Sequence, residues 1–295
     1  MKILFIGTVE FSYHLLETLI EENSELIGVI SDTDNHINSD YVDLKPICDK
    51  NKIPCLLSKN INSPETLSWI KDKSPDIIFC FGWSQLIKED ILKIPHLGVI
   101  GYHPAELPKN RGRHPIIWAL ALGLKKTAST FFYIDEGADT GNLIDQRIVL
   151  IEEDDDARAL YLKLIAQAKK QLKDILPIIN NKNYHGIPQD DSLSNYWRKR
   201  DESDGQIDWR MSADKVHKLV KALSKPYIGA HFISKNIEYK VWKSKEHSIK
   251  ESSNFEPGKI FKSQALDKLL IKCGDGAIEL IETEPKIDLI NGSYL

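Results

Sequence analysis

Residues 3–32 read ILFIGTVEFSYHLLETLIEENSELIGVISD, and this stretch decides the fold. Ile3 to Ile6 is a short apolar run closed by Gly7, the pattern of a buried strand followed by a turn. Phe11, His14, Leu15, Leu16, Leu19 and Ile20 then recur at helical spacing. Leu26 to Asp32 is a second apolar strand. Strand, helix and strand in about thirty residues predict a βαβ unit and a parallel sheet.

The alternation continues outward. IPCLL (53–57), DIIFCFG (76–82), LGVIGYH (97–103) and ASTFFYID (128–135) read as strands, and IDQRIVLI as a further one. Helices are expected over 64–73, from Ser84 to Pro95, over 115–124 and over about 155–180, the last ending in the NNKN tract. Residues 186–212 are polar and turn-rich and read as a surface linker. A helix at 213–223 and short alternating runs with turns such as EPGK and CGDGA follow. The fold class is therefore α/β: a Rossmann-like parallel-sheet domain at 1–190, a linker at 191–212, and a small β-rich, OB-like barrel at 213–295.

Composition narrows the function. A net charge of −4 argues against a nucleic-acid partner, whose phosphates need a basic surface. The four cysteines, Cys48, Cys55, Cys80 and Cys273, have no CxxC or metal spacing and read as free thiols. No metal site is expected. MKILFIG is too short and too soon interrupted for a signal peptide, and no apolar run is long enough to span a bilayer, so a cytoplasmic protein is expected. The first turn keeps only Gly7 of a G-x-G-x-x-G fingerprint, which removes the dinucleotide-dehydrogenase reading.

Two segments carry chemistry. GYHPAELPKNRGRHP (101–115) puts His103 at the carboxyl end of a strand, where sites form in open α/β sheets. DEGADTG (135–141) follows another strand, and adjacent parallel strands would bring Asp139 beside His103. A carboxylate that orients an imidazole makes a general acid/base pair suited to acyl transfer. DTG alone is more often only a turn, and its single copy in a parallel setting argues against an aspartic protease.

Taken together, KILFIGTVEFS, HPAELPKNRGRHPI, DEGADTGNLI, YWRKRDESDGQIDW (196–209) and KALSKPYIGA (221–230) resemble, in order and spacing, the folate-dependent formyltransferases. That family includes methionyl-tRNA formyltransferase and the sugar N-formyltransferases. The resemblance implies transfer of a formyl group from N10-formyltetrahydrofolate to a primary amine. It implies His103 and Asp139 as catalytic residues. It implies that the backbone of the loop holding Phe81, Trp83, Ser84, Gln85, Leu86 and Ile87 contacts the donor's pterin ring on one side, with Pro108, Asp135, Gly137 and Asp139 on the other. One position departs from the pattern. The family's N-x-H places an asparagine amide where this chain has Gly101; protonated His103 alone, Asn110 or a backbone N–H would then stabilise the oxyanion, or catalysis is impaired, and retained catalysis is the expectation.

The acceptor is expected to be a nucleotide-linked amino sugar. The segment 31–43 carries four aspartates and no lysine or arginine, and would repel a tRNA backbone. Lys109, Arg111, Arg113, Arg198 and Arg200 are candidate diphosphate contacts, and Tyr102, Trp83 or Trp197 a flat surface for the base. The preferred acceptor is a 4-amino-4,6-dideoxy sugar for a surface polysaccharide such as lipopolysaccharide O-antigen, or for a pseudaminic-type acid; a homodimer is one assembly compatible with the small C-terminal β domain, and the sequence does not decide it. A methionyl-tRNA formyltransferase and a catalytically decayed folate-binding homologue stand as the alternatives.

Overall fold

Strand β1 (Lys2–Ile6) lies inside a seven-stranded sheet of order β3 (Cys55–Leu57), β2 (Glu25–Ser31), β1, β4 (Ile77–Cys80), β5 (Val99–His103), β7 (Lys126–Tyr133), β8 (Leu143–Leu150). It pairs in parallel with β2 (Glu25–Ser31) and β4 (Ile77–Cys80), and Ile3 to Ile6 are buried, as a strand covered on both faces requires. In this computed structural model, residues 1–32, 39–179, 184–249 and 253–295 are described. Positions 33–38, the middle of the acidic segment 31–43, and the NNKN tract at 180–183 lie outside the described residues.

Helix α1 (Glu10–Glu21) buries Phe11, Leu15, Leu16 and Leu19, the apolar spacing read from the sequence. Ser12 fixes its entry: its Oγ accepts from the Thr8 and Val9 N–H groups and donates to the Phe81 carbonyl at 2.6 Å. The unit continues with α2 (Lys45–Lys50), β3 (Cys55–Leu57), α3 (Pro64–Lys73), α4 (Glu89–Leu92) and β5 (Val99–His103). After it come β6 (Arg111–Gly112), α5 (Pro115–Ala121), β7 (Lys126–Tyr133), β8 (Leu143–Leu150), α6 (Ala157–Ile179) and β9 (Tyr196–Trp197). Leu4, Ile6, Ile30, Ile78, Ile91 and Val99 form the apolar centre of this part.

Three expectations change. The helix from Ser84 to Pro95 shrinks to Glu89–Leu92, because side chains take the backbone bonds that a helical ladder would use. Gln85 spans Lys59 O and the Ile61 N–H, and Asn62 takes Leu86 O and the Lys88 N–H. Second, β7 runs antiparallel to β5, not parallel. Third, the polar stretch after 186 is not all surface coil: β9 pairs in parallel with β6.

By contact the chain forms two units. One holds Met1–Pro115, Lys126–Leu150 and Leu162–Arg198; the other holds Ile116–Lys125, Ile151–Tyr161 and Lys199–Leu295. The second carries α7 (Ala213–Ala222), whose first turn is capped by Ser212 Oγ accepting from the Lys215 N–H. Its strands are β10 (Ala230–Ser234), β11 (Ile237–His247), β12 (Ile260–Ser263), β13 (Lys268–Lys272) and β14 (Ala277–Glu284). They form an antiparallel sheet of order β10-β11-β14-β13-β12, the β-rich unit expected from the short alternating runs. Among the described residues no helix is long and apolar enough to cross a membrane.

All four thiols are free, and their settings differ. Burial pushes Cys80 and Cys273 up to about 12. Half-buried Cys55 is lowered by a hydrogen bond from Cys48, with Lys45 adding to the effect against its own burial, while Cys48 is raised by the same contact. The thiolate is the nucleophile, so iodoacetamide at pH 8 should label the native protein at Cys55 first. Peptide mass mapping checks this; earlier labelling of Cys80 or Cys273 would contradict it.

Candidate functional site

Strand alternation sets the faces of β5: Gly101 and His103 share one, and Tyr102 takes the other. Tyr102 packs against Phe11 and Phe131, with ring centroids 4.2 and 5.1 Å away, and its hydroxyl bonds Ser129 Oγ at 2.9 Å. Burial raises its phenol well above the usual range despite that bond. It is a packing residue, so its expected role as a platform for a base is corrected.

His103 is buried, with 5% of its surface exposed. Its Nε2 lies 2.8 Å from the Asn110 carbonyl. A carbonyl only accepts, so Nε2 carries the hydrogen in the neutral ring and Nδ1 is the basic nitrogen. Nδ1 lies 3.6 Å from Asp139 Oδ2, and the same oxygen accepts from the Gly112 N–H at 2.9 Å. A carboxylate so placed can stabilise a proton arriving at Nδ1.

The aspartate reaches this place by an indirect route. Because β7 is antiparallel, Ile134 N bonds Val99 O at the far end of β5, and the 135–141 loop must return toward His103. Asp135 closes the first part of the loop, its Oδ1 accepting from Gly137 N and Thr140 Oγ1. Asp135 is thus the self-bonding turn residue, while Asp139 reaches out. Asp139 and Asn110 both adopt left-handed backbone, with φ of +59° and +63°, at a position each of these residue types tolerates better than most.

The other expected residues fall into two groups. On the donor side, Phe81 is core, stacked on Phe79, and its carbonyl is taken by Ser12. Ile87 is buried in the same core, and Gln85 spends both ends of its amide on the 59–61 backbone. Their side chains are scaffold, so any contact of these three residues with the donor falls to the backbone, as the resemblance implies. Trp83 and Leu86 differ: the Trp83 indole Nε1 is buried without a hydrogen-bond partner, and Leu86 is 73% exposed. A buried unpartnered donor beside an exposed apolar side chain fits a flat heteroaromatic ring with acceptor atoms. Ser84 offers its carbonyl to Arg113 Nη1, and Pro108 sits half-buried in the turn after His103. Gly137 could not carry a Cβ, which would lie 2.0 Å from Thr140 Oγ1.

Among the cations, Arg111 is corrected. It is 2% exposed and bonds Gln189 Oε1, Tyr196 OH and Asp191 Oδ1, so it is not available to a diphosphate. Arg200 belongs to the other unit, where it donates to Asp204 O and lies over the Trp118 ring. Lys109 and Arg198 are exposed and Arg113 is half-buried. Asn110 is held by Asn195 in a reciprocal pair: N–H to Oδ1 at 2.9 Å and Nδ2 to Oδ1 at 3.2 Å. Gln189 and Asn195 were not singled out from the sequence, since both lie in the stretch read as linker. Among the described residues no cluster of metal-ligating side chains occurs.

The chain thus combines an α/β unit that carries an imidazole–carboxylate pair with a β-rich unit. Residues 1–176 match the family described as formyl transferase, and residues 199–289 match the formyl transferase C-terminal domain. The chain is 34% identical over 286 residues to the bifunctional polymyxin resistance protein ArnA of Wigglesworthia glossinidia brevipalpis. That match covers 96% of this chain and 43% of ArnA, so the chain spans under half of that relative. It is 30% identical over 289 residues to the methionyl-tRNA formyltransferase of Caldanaerobacter subterraneus subsp. tengcongensis, covering 96% of this chain and 92% of that one. Among solved structures, WlaRD, a sugar 3N-formyl transferase with dTDP and 5-N-formyl-THF, superposes with a TM-score of 0.68 at 23% identity, over 94% of this chain and 96% of that one. The chain belongs to the formyl transferase family. It is a folate-dependent N-formyltransferase, with N10-formyltetrahydrofolate as donor.

Gly101, where the family's asparagine would stand, is not an empty place. A Cβ there would lie 2.8 Å from Ile134 Cγ1 and 3.0 Å from Phe132 Cζ. Ile134 fills the space, so Gly101→Asn should lower the unfolding free energy by about 1–3 kcal/mol through overpacking, and should not raise kcat. Pairing it with Ile134→Ala should recover most of that stability. Denaturant unfolding with steady-state turnover checks both; a stable and faster Gly101→Asn would overturn this account.

Proposed function

We propose that the chain formylates the primary amine of a nucleotide-linked amino sugar, with His103 as general base and Asp139 as the group that orients it and stabilises its charge. The observation that carries the catalytic part is the His103 Nδ1–Asp139 Oδ2 approach of 3.6 Å, on a chain of the formyl transferase family. When bound, N10-formyltetrahydrofolate supplies an activated formyl carbon. Trp83 and the backbone around Ser84 and Leu86 would hold its ring on one side, and the Asp135–Asp139 loop and Pro108 on the other.

The chain's own residues then act in a short sequence. The Asn110 carbonyl keeps the Nε2 proton in place, so the proton lost by the attacking amine goes to Nδ1. Asp139 stabilises that imidazolium, while the Gly112 N–H keeps the carboxylate from turning away. Asn110 Nδ2, whose amide is fixed through Asn195, is the donor we assign to the developing oxyanion in place of the family's asparagine.

For the acceptor, two things favour a nucleotide sugar over tRNA. The segment around 31–43 is acidic, and the fold matches a sugar 3N-formyl transferase that holds dTDP. Lys109, Arg113 and Arg198 are the cations assigned to a diphosphate, and Trp197 to the base. A 4-amino-4,6-dideoxy sugar destined for a surface glycan, lipopolysaccharide O-antigen or pseudaminic-type acid is the preferred acceptor. The reaction is assigned to the cytoplasm, with 1–190 as catalytic domain, 191–212 as linker and 213–295 as accessory domain. The 30% identity to a methionyl-tRNA formyltransferase keeps tRNA as the second reading.

A mass-spectrometric screen decides. The protein is mixed with N10-formyltetrahydrofolate and UDP-, dTDP- and GDP-linked 3-amino and 4-amino sugars, with charged initiator tRNA in parallel. Formyl gained by one nucleotide sugar supports the proposal and fixes the ring position. Formyl gained by the tRNA alone overturns it. Folate binding with no product on any acceptor favours the decayed homologue.

A further inference from the structure

We infer that Gln189 is a positioning residue for the reaction, acting through the Asp139 loop. The inference rests on the His103–Asp139 reading above. The geometry that carries it is a single side-chain amide bonded at both ends. Gln189 Oε1 accepts two N–H groups from Arg111, Nε at 3.2 Å and Nη2 at 2.8 Å. Its Nε2 donates to two carbonyls of the aspartate loop, Asp139 O at 3.0 Å and Gly141 O at 2.7 Å.

The orientation of the amide is forced. Arg111 only donates and the two carbonyls only accept, so a flipped amide would lose all four bonds. Arg111 is itself immobile: it is buried, and it also bonds Asp191 Oδ1 at 2.7 Å and Tyr196 OH at 3.1 Å. Its own backbone N–H bonds Asn195 O, and β6 pairs with β9. Gln189 therefore ties the loop to a rigid frame.

The loop has need of that tie. Asp139 is a non-glycine residue in left-handed backbone, a conformation that persists only where surroundings over-determine it. Its side chain accepts from Gly112 N and lies 3.6 Å from the imidazole. Without Nε2, the carbonyls of residues 139 and 141 lose their donor and the loop is free to turn its carboxylate away from Nδ1.

Gln189→Met keeps the length and removes every bond, without adding charge. Its kcat should fall by about 10²-fold, the scale of a small misplacement of a reacting group, while KM for donor and acceptor stays within about 3-fold. A merely structural residue would lower stability and leave kcat parental at temperatures where the protein stays folded. Asp139→Asn is measured alongside. Unchanged kcat in Gln189→Met, with Asp139→Asn strongly impaired, overturns the role of Gln189 and leaves the catalytic pair standing. Near-native turnover in Asp139→Asn overturns the pair and this inference with it. Should Gln189→Met not fold, Gln189→Glu, which keeps the acceptor for Arg111 but turns the donor into a second acceptor, decides by kcat alone: a similar loss supports the role and parental turnover overturns it.

Discussion

His103→Asn is expected to lower kcat by about 10²- to 10⁴-fold, the range for loss of a positioned general base, with little change in substrate KM. Asparagine is close in size and can keep one hydrogen bond to the Asn110 carbonyl, so the turn after β5 should survive. What it lacks is a basic nitrogen beside Asp139. Asp139→Asn should cost a comparable amount, because the amide cannot stabilise a charge on Nδ1. The double variant should be no worse than the weaker single one by much, since groups that act as a unit are not additive. Single-turnover formylation of the acceptor found by the screen, monitored by mass, reads all three. Near-native turnover in either single variant would remove this pair from the mechanism.

The sequence carried the sheet well because buried strands in a parallel sheet are continuous apolar runs, and Ile3–Ile6, Ile77–Cys80 and Val99–Ile100 are of that kind. His103 was legible for the same reason: it ends such a run at the edge where sites form. What was not legible depends on long-range pairing. Nothing in ASTFFYID distinguishes a strand antiparallel to β5 from one parallel to it, so the route of the 135–141 loop could not be read. Arg111 looked like a free cation because its partners, Gln189, Asp191 and Tyr196, lie some eighty residues away by the chain and only the fold brings them near. The segment holding those partners is polar and turn-rich, which is the composition of a linker as well as of a bracing strap. Gly101 was visible as a departure, but that Ile134 occupies its place was not.

Gly112→Ala should damage both the stability and the turnover of the site through a single methyl. Gly112 has φ of +106°, outside the range an L residue adopts without strain, and an added Cβ would lie 2.3 Å from the Trp197 carbonyl oxygen. That oxygen cannot simply retreat, because it accepts from Arg113 N at 3.1 Å, and Arg111 N is bonded to Asn195 O at 3.0 Å on the other side. The added methyl must therefore part β6 from β9 or rotate the Gly112 peptide. Either movement carries off the N–H that holds Asp139 Oδ2. Strain and overpacking together should cost roughly 2–4 kcal/mol of stability. Turnover should fall by about 10²-fold even at temperatures where the protein stays folded, since the carboxylate loses its anchor beside His103. Thermal unfolding and kcat measured on the same preparation separate the two effects. Parental melting with parental turnover would mean that the β6–β9 pair does not frame the aspartate, and that the site is held together by some other part of the fold.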